Sequence, residues 1–549
     1  MQPIRFVSTR ATPGRGGEVP VGIETAIVNG MPPDGGLYAP TRLPPLPKRV
    51  FDPAPLAYAE LASLVLAPFF PDWNKAALDA ILEKAYGRGA TGAEAPYFDC
   101  PEVAPLVLLP LPGEGNGQAL YLLELFHGRT CAFKDLALSV LGGLLRGSLD
   151  RLGRKESILV LTATSGDTGS AALEGLSGVE GVHTAVFYPT GGTSEIQRLQ
   201  MTTVSAERRF VAGVAGNFDE AQGAVKRIFE RAARGEGPLA GALAGPRLSS
   251  ANSINVGRLL PQIVYYVAAW RELAARGALG PGDLMHAAVP TGNFGDILAA
   301  KYAKEMGLPI GRLICASNAN KVLADFFETG VYDRRRDLLK TESPSMDILV
   351  SSNLERLLFM ASGGDGARVA SLMGALASRG FFEISVKEKA YISDFASGWC
   401  SDRTAASVIT RLWETCGALV DPHTATAVEV ALRAAAGLDP LTPIVVAATA
   451  SPFKFPRICL EALGAGESVD AGGRSDAAAS AEAVSAEAIP AVSGDLGLSA
   501  RLSALTGIAM PGPIQALAGK KALHDRSLAV GEAEDALVAY ARERMGARA

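Results

Sequence analysis

About a quarter of the way along, the chain reads ELFHGRTCAFKDLAL, a small polar and aromatic turn that delivers one lysine, Lys134, to the mouth of an apolar helix. A lysine amine is a nucleophile only when deprotonated, and desolvation beside apolar neighbours such as Phe133 and Leu136 depresses its pKa toward that state. The placement suits a lysine that bonds covalently to an aldehyde cofactor. A solvated lysine at a helix N-terminus fits the same segment, since most lysines are exposed.

Downstream residues bear on that choice. The apolar run SILVLTA (157–163) leads directly into TSGDTGSAALEG, a Gly, Ser and Thr loop that opens a helix. In open α/β sheets, anions bind where strand C-termini meet helix N-termini, because free backbone N–H groups and the helix dipole attract them. A plain βα turn capped by Asp167 or Thr168 is the alternative for this loop. A second instance is AAVPTGNFGDILAAKYA, where glycines at 292 and 295 let the backbone form a concave nest of N–H donors, a phosphate cradle. The third piece, VVAATASPFKF, ends a strand at Thr449, whose hydroxyl could face a pyridine nitrogen; alone it reads as a strand-end threonine. A poised lysine and two anion loops in one sheet point to an aldehyde that carries a phosphate, pyridoxal phosphate.

Other patterns lack their required context. Gly87, Gly89 and Gly92 spell G-x-G-x-x-G but follow a helix, so they read as a helix C-cap rather than a dinucleotide site. No P-loop, nucleophile elbow or H-E-x-x-H pattern occurs. His183 and His286 start candidate strands and read as structural, whereas His127 and His423 lie in polar loops and are the more plausible site histidines.

These residues need a scaffold. At 549 residues the chain should hold more than one domain, because single cores stop growing near roughly 250–300 residues. From about residue 99 to 465, apolar runs of strand length alternate with helical patterns: 157–163, 183–189, 208–214, 285–291, 312–317 and 443–449. Such a rhythm implies an α/β fold with parallel sheet covered on both faces. The first 98 residues, with DGGLYAP, LPPLP and the helix-like WNKAALDAILEKAYG, read as a small leading domain. Residues 466–500 are rich in Ala, Ser and Gly and read as a weakly ordered surface insertion, and 501–549 as a helical closing segment.

Composition excludes several classes. A net charge of −5 favours neither nucleic acid nor an anionic membrane as partner. The opening MQPIRFVSTR has no apolar stretch after its basic residues, and no run is long enough to span a bilayer, so a cytoplasmic protein is expected. Six cysteines without a C-x-x-C pair argue against zinc, iron–sulfur or a disulfide scaffold and suggest reduced, mostly buried thiols.

With ELFHGRTCAFKD, TSGDTGSA, PTGNFGDI and TASPFKF in this order, the chain resembles the threonine synthase family, pyridoxal-phosphate enzymes of the tryptophan synthase β-subunit-like fold (PLP fold type II). FVSTR, DGGLYAP, SSANSINVGRLLPQ, ICASNANKVLADFFETGVYDRR, SPSMDILVSSNLERLLF and VDPHTA are similar to it too, and point to its longer, fungal and enterobacterial branch. The resemblance runs from residue 5 to about 460. It implies that Lys134 carries the cofactor in a Schiff base, that Gly292, Asn293, Phe294, Gly295 and Asp296 surround it, and that Thr449 faces its ring nitrogen. The implied substrate is O-phospho-L-homoserine, converted to L-threonine and phosphate by γ-elimination and hydration at Cβ. Its anionic groups are expected on Thr164, Ser165, Asp167 and Thr168 together with Asn252, Ser253, Asn255 and Arg258; guanidinium binds oxyanions in a bidentate fashion. A monomer or homodimer is expected, with no metal. Rivals are a phospho-lyase releasing 2-oxobutyrate and a non-catalytic protein that keeps the fold. Arg129 and Cys131 depart from the family's usual Pro and Leu, and Arg129 either meets a substrate anion or points outward.

Overall fold

The computed structural model describes residues 3–12, 19–88, 96–111, 117–216, 218–243, 248–465 and 494–546. Gly89, Gly92 and residues 466–493 lie outside them. Two parallel sheets organise the chain. The larger runs Phe395–Trp399, Ile310–Ser317, Met285–Pro290, Ile444–Ala448, Leu120–Glu124, Leu106–Leu109 from edge to edge, and only its last pair is antiparallel. The smaller runs Ser527–Ala529, Arg209–Ala215, Val182–Pro189, Ile158–Ala163, Leu248–Ser250, parallel throughout. All six expected strands form, each within two residues of its expected start. Four of them, Ile158–Ala163, Val182–Pro189, Met285–Pro290 and Ile444–Ala448, are buried at every residue. That is why their sequences read as nearly continuous apolar runs rather than strict alternations.

The helical pattern INVGRLLPQIVYYVAAWRELAA forms two helices, Val256–Leu259 and Gln262–Ala275. The break falls at Pro261, whose ring cannot donate the backbone hydrogen bond a continuous helix requires. The helix read in WNKAALDAILEKAYG spans Lys75–Tyr86, and Gly87 is its C-cap, as expected.

The leading segment is not a loose appendage. Phe6, Ile27, Leu66 and Leu82 share one apolar core with Leu141, Tyr265 and Phe326 of the larger body. Contact is so close that a Cβ at Gly147, on the helix Lys134–Arg151, would lie 2.6 Å from the Trp73 ring. Residues 495–500 correct the weak-order expectation for the end of the insertion. They open the helix Asp495–Thr506, which buries Leu502 in a second core and ties Ser499 Oγ to Phe453 O at 2.8 Å. Among the described residues no helix is long and apolar enough to cross a membrane. The cysteines are free thiols, four of the six buried.

Candidate functional site

The C-terminal ends of both sheets face one cavity, and Lys134 enters it from the first turn of the helix Lys134–Arg151. The turn before it is stitched to the end of the strand Ile444–Ala448. Leu125 N donates to Ala448 O at 3.0 Å, Phe133 N to Thr449 O at 2.9 Å, and Ser451 N to Cys131 O at 3.0 Å. Asp135 holds the turn from below, accepting from Thr130 N and Thr130 Oγ1, both at 2.8 Å, and burial pushes its carboxyl up to about 6. Gly128 is what lets the chain approach: a Cβ there would lie 2.5 Å from Asp135 Cβ.

Lys134 is 9% exposed, and burial lowers its pKa even though Asp167 pulls the other way. Its Nζ lies 2.9 Å from Asp167 Oδ2. Burial opposes charge on Asp167 too, yet Lys134 and Lys454 together hold it well below the usual carboxylate range. Lys454 Nζ sits 2.8 Å from Asp167 Oδ1, and Gln197 Nε2 donates to the same oxygen at 2.7 Å. Asp167 therefore corrects the expectation that it receives substrate anions. It is an ionised carboxylate saturated by cations and donors, and it would repel an anion rather than bind one.

The other expected residues divide. Thr164, Ser165, Thr168, Asn252, Ser253 and Arg258 line the cavity beside Lys134. Thr164 Oγ1 also accepts from Gly166 N and Gly169 N at 2.9 and 3.0 Å, so the threonine, rather than Asp167 or Thr168, shapes the loop. Arg258 is 3% exposed; one nitrogen donates to Ala251 O at 2.8 Å, and its buried Nε has no partner among the described residues. Burial lowers its pKa to about 10. Asn255 is a correction. Fully buried and away from the cavity, its side chain donates to Ile27 O and Ser250 O, both at 3.0 Å, and caps Gly257 N at 2.9 Å.

Gly292, Asn293, Phe294, Gly295, Asp296 and Thr449 line the same cavity. The carbonyls of the glycine loop turn away from the cavity: Gly292 O accepts from Ser351 Oγ at 2.7 Å and Asn293 O from Asn353 N at 3.1 Å. The N–H groups of residues 292–295 have no acceptor among the described residues and crown the N-terminus of the helix Gly295–Glu305. Phe294 holds a left-handed φ of 63°, a strained conformation for a bulky residue, while its ring is buried against Phe327 and Phe395. Gly292 admits no side chain, because a Cβ would lie 2.6 Å from Ser345 O. Asp296 accepts from Tyr265 and Tyr266 hydroxyls at 2.6 Å each, and its Oδ2 has no partner among the described residues; burial raises it to about 6 against those two hydrogen bonds.

Four N–H groups at a helix N-terminus suit a phosphate, a buried lysine with lowered pKa suits an aldehyde, and Thr449 adds a hydroxyl to the same lining. The residues fit a pyridoxal-phosphate group.

Comparison with known proteins agrees. The profile described as "Pyridoxal-phosphate dependent enzyme" matches residues 99–385, and "Threonine synthase N terminus" matches residues 5–86. "Threonine synthase" of Pseudomonas aeruginosa is 39% identical over 84% of this chain and 91% of its own length. The chain belongs to the threonine synthase family. The crystal structure of PLP-bound threonine synthase from Brucella melitensis superposes with a TM-score of 0.78 at 33% identity, covering 99% of each chain. "Threonine synthase-like 1" of Pongo abelii is 38% identical over 83% of this chain, which spans only 60% of that longer relative.

Within this threonine synthase-type site the two histidines expected to act separate. His423 lines the cavity, with Nδ1 2.6 Å from Asp421 Oδ1 and Nε2 accepting from Ser345 N at 3.3 Å. His127 does not reach it. Its ring sits between Asp99 Oδ1 and Glu124 Oε2, each at 2.9 Å; burial works against its charge, but the two carboxylates push it up to about 9. His183 and His286 are structural as expected, meeting Tyr540 OH at 3.0 Å and Arg312 N at 2.8 Å. Arg129 lies over the Tyr97 ring, 5.1 Å from its centroid, and takes no part in the cavity wall. Sequence reasoning missed Lys454, Gln197, Ser345 and the Tyr265–Tyr266 pair. Lys454 alone left a trace, a lone lysine between two phenylalanines in SPFKF at a strand end.

Proposed function

We propose that the chain converts O-phospho-L-homoserine and water to L-threonine and phosphate, with pyridoxal phosphate held by Lys134. The observation that carries this reading is the meeting, in one cavity, of a buried lysine, a run of N–H groups at 292–295 and an arginine Nε, the last two without partners among the described residues. Gly292, Asn293, Phe294 and Gly295 would hold the cofactor phosphate through their backbone, with Asp296 beside them, and Thr449 would face the ring nitrogen. A neutral hydroxyl there does not enforce ring protonation as a carboxylate would. When bound, the cofactor supplies an electron sink for negative charge at the substrate's Cα and Cβ.

The chain's own residues do the rest. Lys134, its pKa lowered by burial, takes the Cα proton as an amine and returns it as an ammonium. Arg258, with Asn252 and Ser253, binds the leaving phosphate of the substrate; Thr164, Ser165 and Thr168 hold its carboxylate with hydroxyls and the N-terminus of the helix Asp167–Gly175. Unpaired thiols accord with a reducing, cytoplasmic setting.

Product analysis tests the reading. Purified protein loaded with pyridoxal phosphate and given O-phospho-L-homoserine is expected to yield L-threonine and phosphate in equal amounts. Phosphate with 2-oxobutyrate would make it a phospho-lyase. No phosphate release and no bound cofactor would make it a non-catalytic member of the fold.

A further inference from the structure

Just behind the cavity wall lies a second buried lysine. The Lys454 side chain has no exposed surface, and it is not among the residues that line the cavity. A buried ammonium is strongly unfavourable unless paired. Its Nζ is paired twice, with Asp167 Oδ1 and with Thr130 O, both at 2.8 Å. Asp167 in turn carries Lys134 on its other oxygen, together with Gln197 Nε2 on Oδ1 and Ser345 Oγ, 3.3 Å away, on Oδ2. One carboxylate thus serves two lysines, one fixed in the core and one facing the cavity.

This arrangement resolves a conflict in the site. A buried carboxylate with a single lysine partner clamps it as an ammonium, and an ammonium is no nucleophile. If that lysine lost its proton, the carboxylate would become an uncompensated buried anion. With Lys454 permanently on Oδ1, Asp167 keeps a counter-charge whatever Lys134 does. We propose that Lys454 is a positioning residue that acts through Asp167: it neutralises and anchors that carboxylate, so that Lys134 can leave the ion pair and work as an amine. Asp167 stays ionised throughout, and the proton Lys134 gives up passes to solvent or substrate. The other charged groups facing Lys134 are Arg258, which favours the amine as Lys454 does, and Asp296, which opposes it. His423 lines the same cavity. The inference rests on Lys134 being the cofactor lysine.

The test is made on the cofactor-free protein by competitive acetylation with acetic anhydride across a pH series, reading the Lys134 peptide by mass spectrometry. In Lys454→Met the fraction of Lys134 reactive as amine at a given pH is expected to fall about tenfold, one pKa unit. Asp167→Asn/Lys454→Met, which removes both charges, should recover it. Lys454→Gln, which removes the charge yet keeps a donor for Asp167 and Thr130 O, should behave as the Met variant does and serves if that one fails to fold. Unchanged Lys134 reactivity in either single variant overturns the proposal, as does a double variant no more reactive than the single. Borohydride trapping of pyridoxal phosphate on Lys134 is read in parallel. If the wild-type protein traps none, the functional reading fails, while the acetylation series still decides the role of Lys454.

Discussion

His127→Gln isolates one ion cluster. His127 braces the turn that leads to Lys134, between Asp99 and Glu124, and its backbone carbonyl accepts from Asp99 N at 3.0 Å. In the unfolded chain the imidazole titrates near its ordinary 6.5, and in the fold at about 9. The folded state therefore binds the proton more tightly. Its contribution to stability is complete below 6.5 and is lost as pH rises through 9. The gap corresponds to at most about 3.4 kcal/mol at 1.36 kcal/mol per pKa unit. Asp99 is 59% exposed on its side chain, so solvent screens part of this, and about 2 kcal/mol is expected. Urea unfolding of wild type and His127→Gln should show a gap of that size near pH 6, shrinking toward zero above pH ~9.5. The histidines that burial pushes down to about 4, His183 and His286, are common to both proteins and cancel in the difference. A gap that stays constant across this range would refute the assignment of the stabilisation to a charged His127.

Two further substitutions separate binding from support. Arg258→Met removes the buried guanidinium whose Nε is unpartnered, and is expected to cost about 3 kcal/mol in kcat/KM for O-phospho-L-homoserine, roughly a hundredfold; a loss below about threefold would place the substrate phosphate elsewhere. Asn255→Ala strips Ile27 O and Ser250 O of a donor and Gly257 N of its cap, so about 2 kcal/mol of unfolding free energy should disappear while kcat/KM of the folded fraction stays within about twofold. A stable but inactive Asn255→Ala protein would return this residue to the site.

Much of the scaffold was legible because its central strands are buried at every residue and nearly continuous in apolar side chains, the pattern a doubly covered sheet requires. The lysine and the 292–295 loop were legible for a related reason: each lies where a strand or turn hands over to a helix, and there a glycine or a lone cation stands out. The role of Asp167 was not. In sequence it is a helix-start residue among hydroxyls, and only the meeting of the two sheets' C-terminal ends at one cavity brings Lys454, 287 residues away, against it. The same holds for Asn255, whose partner Ile27 lies in the leading segment, and for Asp296, whose two tyrosine donors sit on a neighbouring helix. Local patterns show what a residue can do; the partner that decides its charge state is set by the long-range contacts.

The strand Ser527–Ala529 covers the flank of Arg209–Ala215, pairing Ser527 with Gly213, Leu528 with Val214 and Ala529 with Ala215. During translation, the sheet that carries the Thr164–Thr168 loop thus keeps a raw border until roughly three hundred further residues have been made, and earlier folding leaves that border as an open template for pairing with a sister chain. A late frameshift or a clipped tail would consequently yield more than a shortened protein: it would yield a sticky one, exposed to self-association and to cellular quality control although every residue of the cavity had been synthesised.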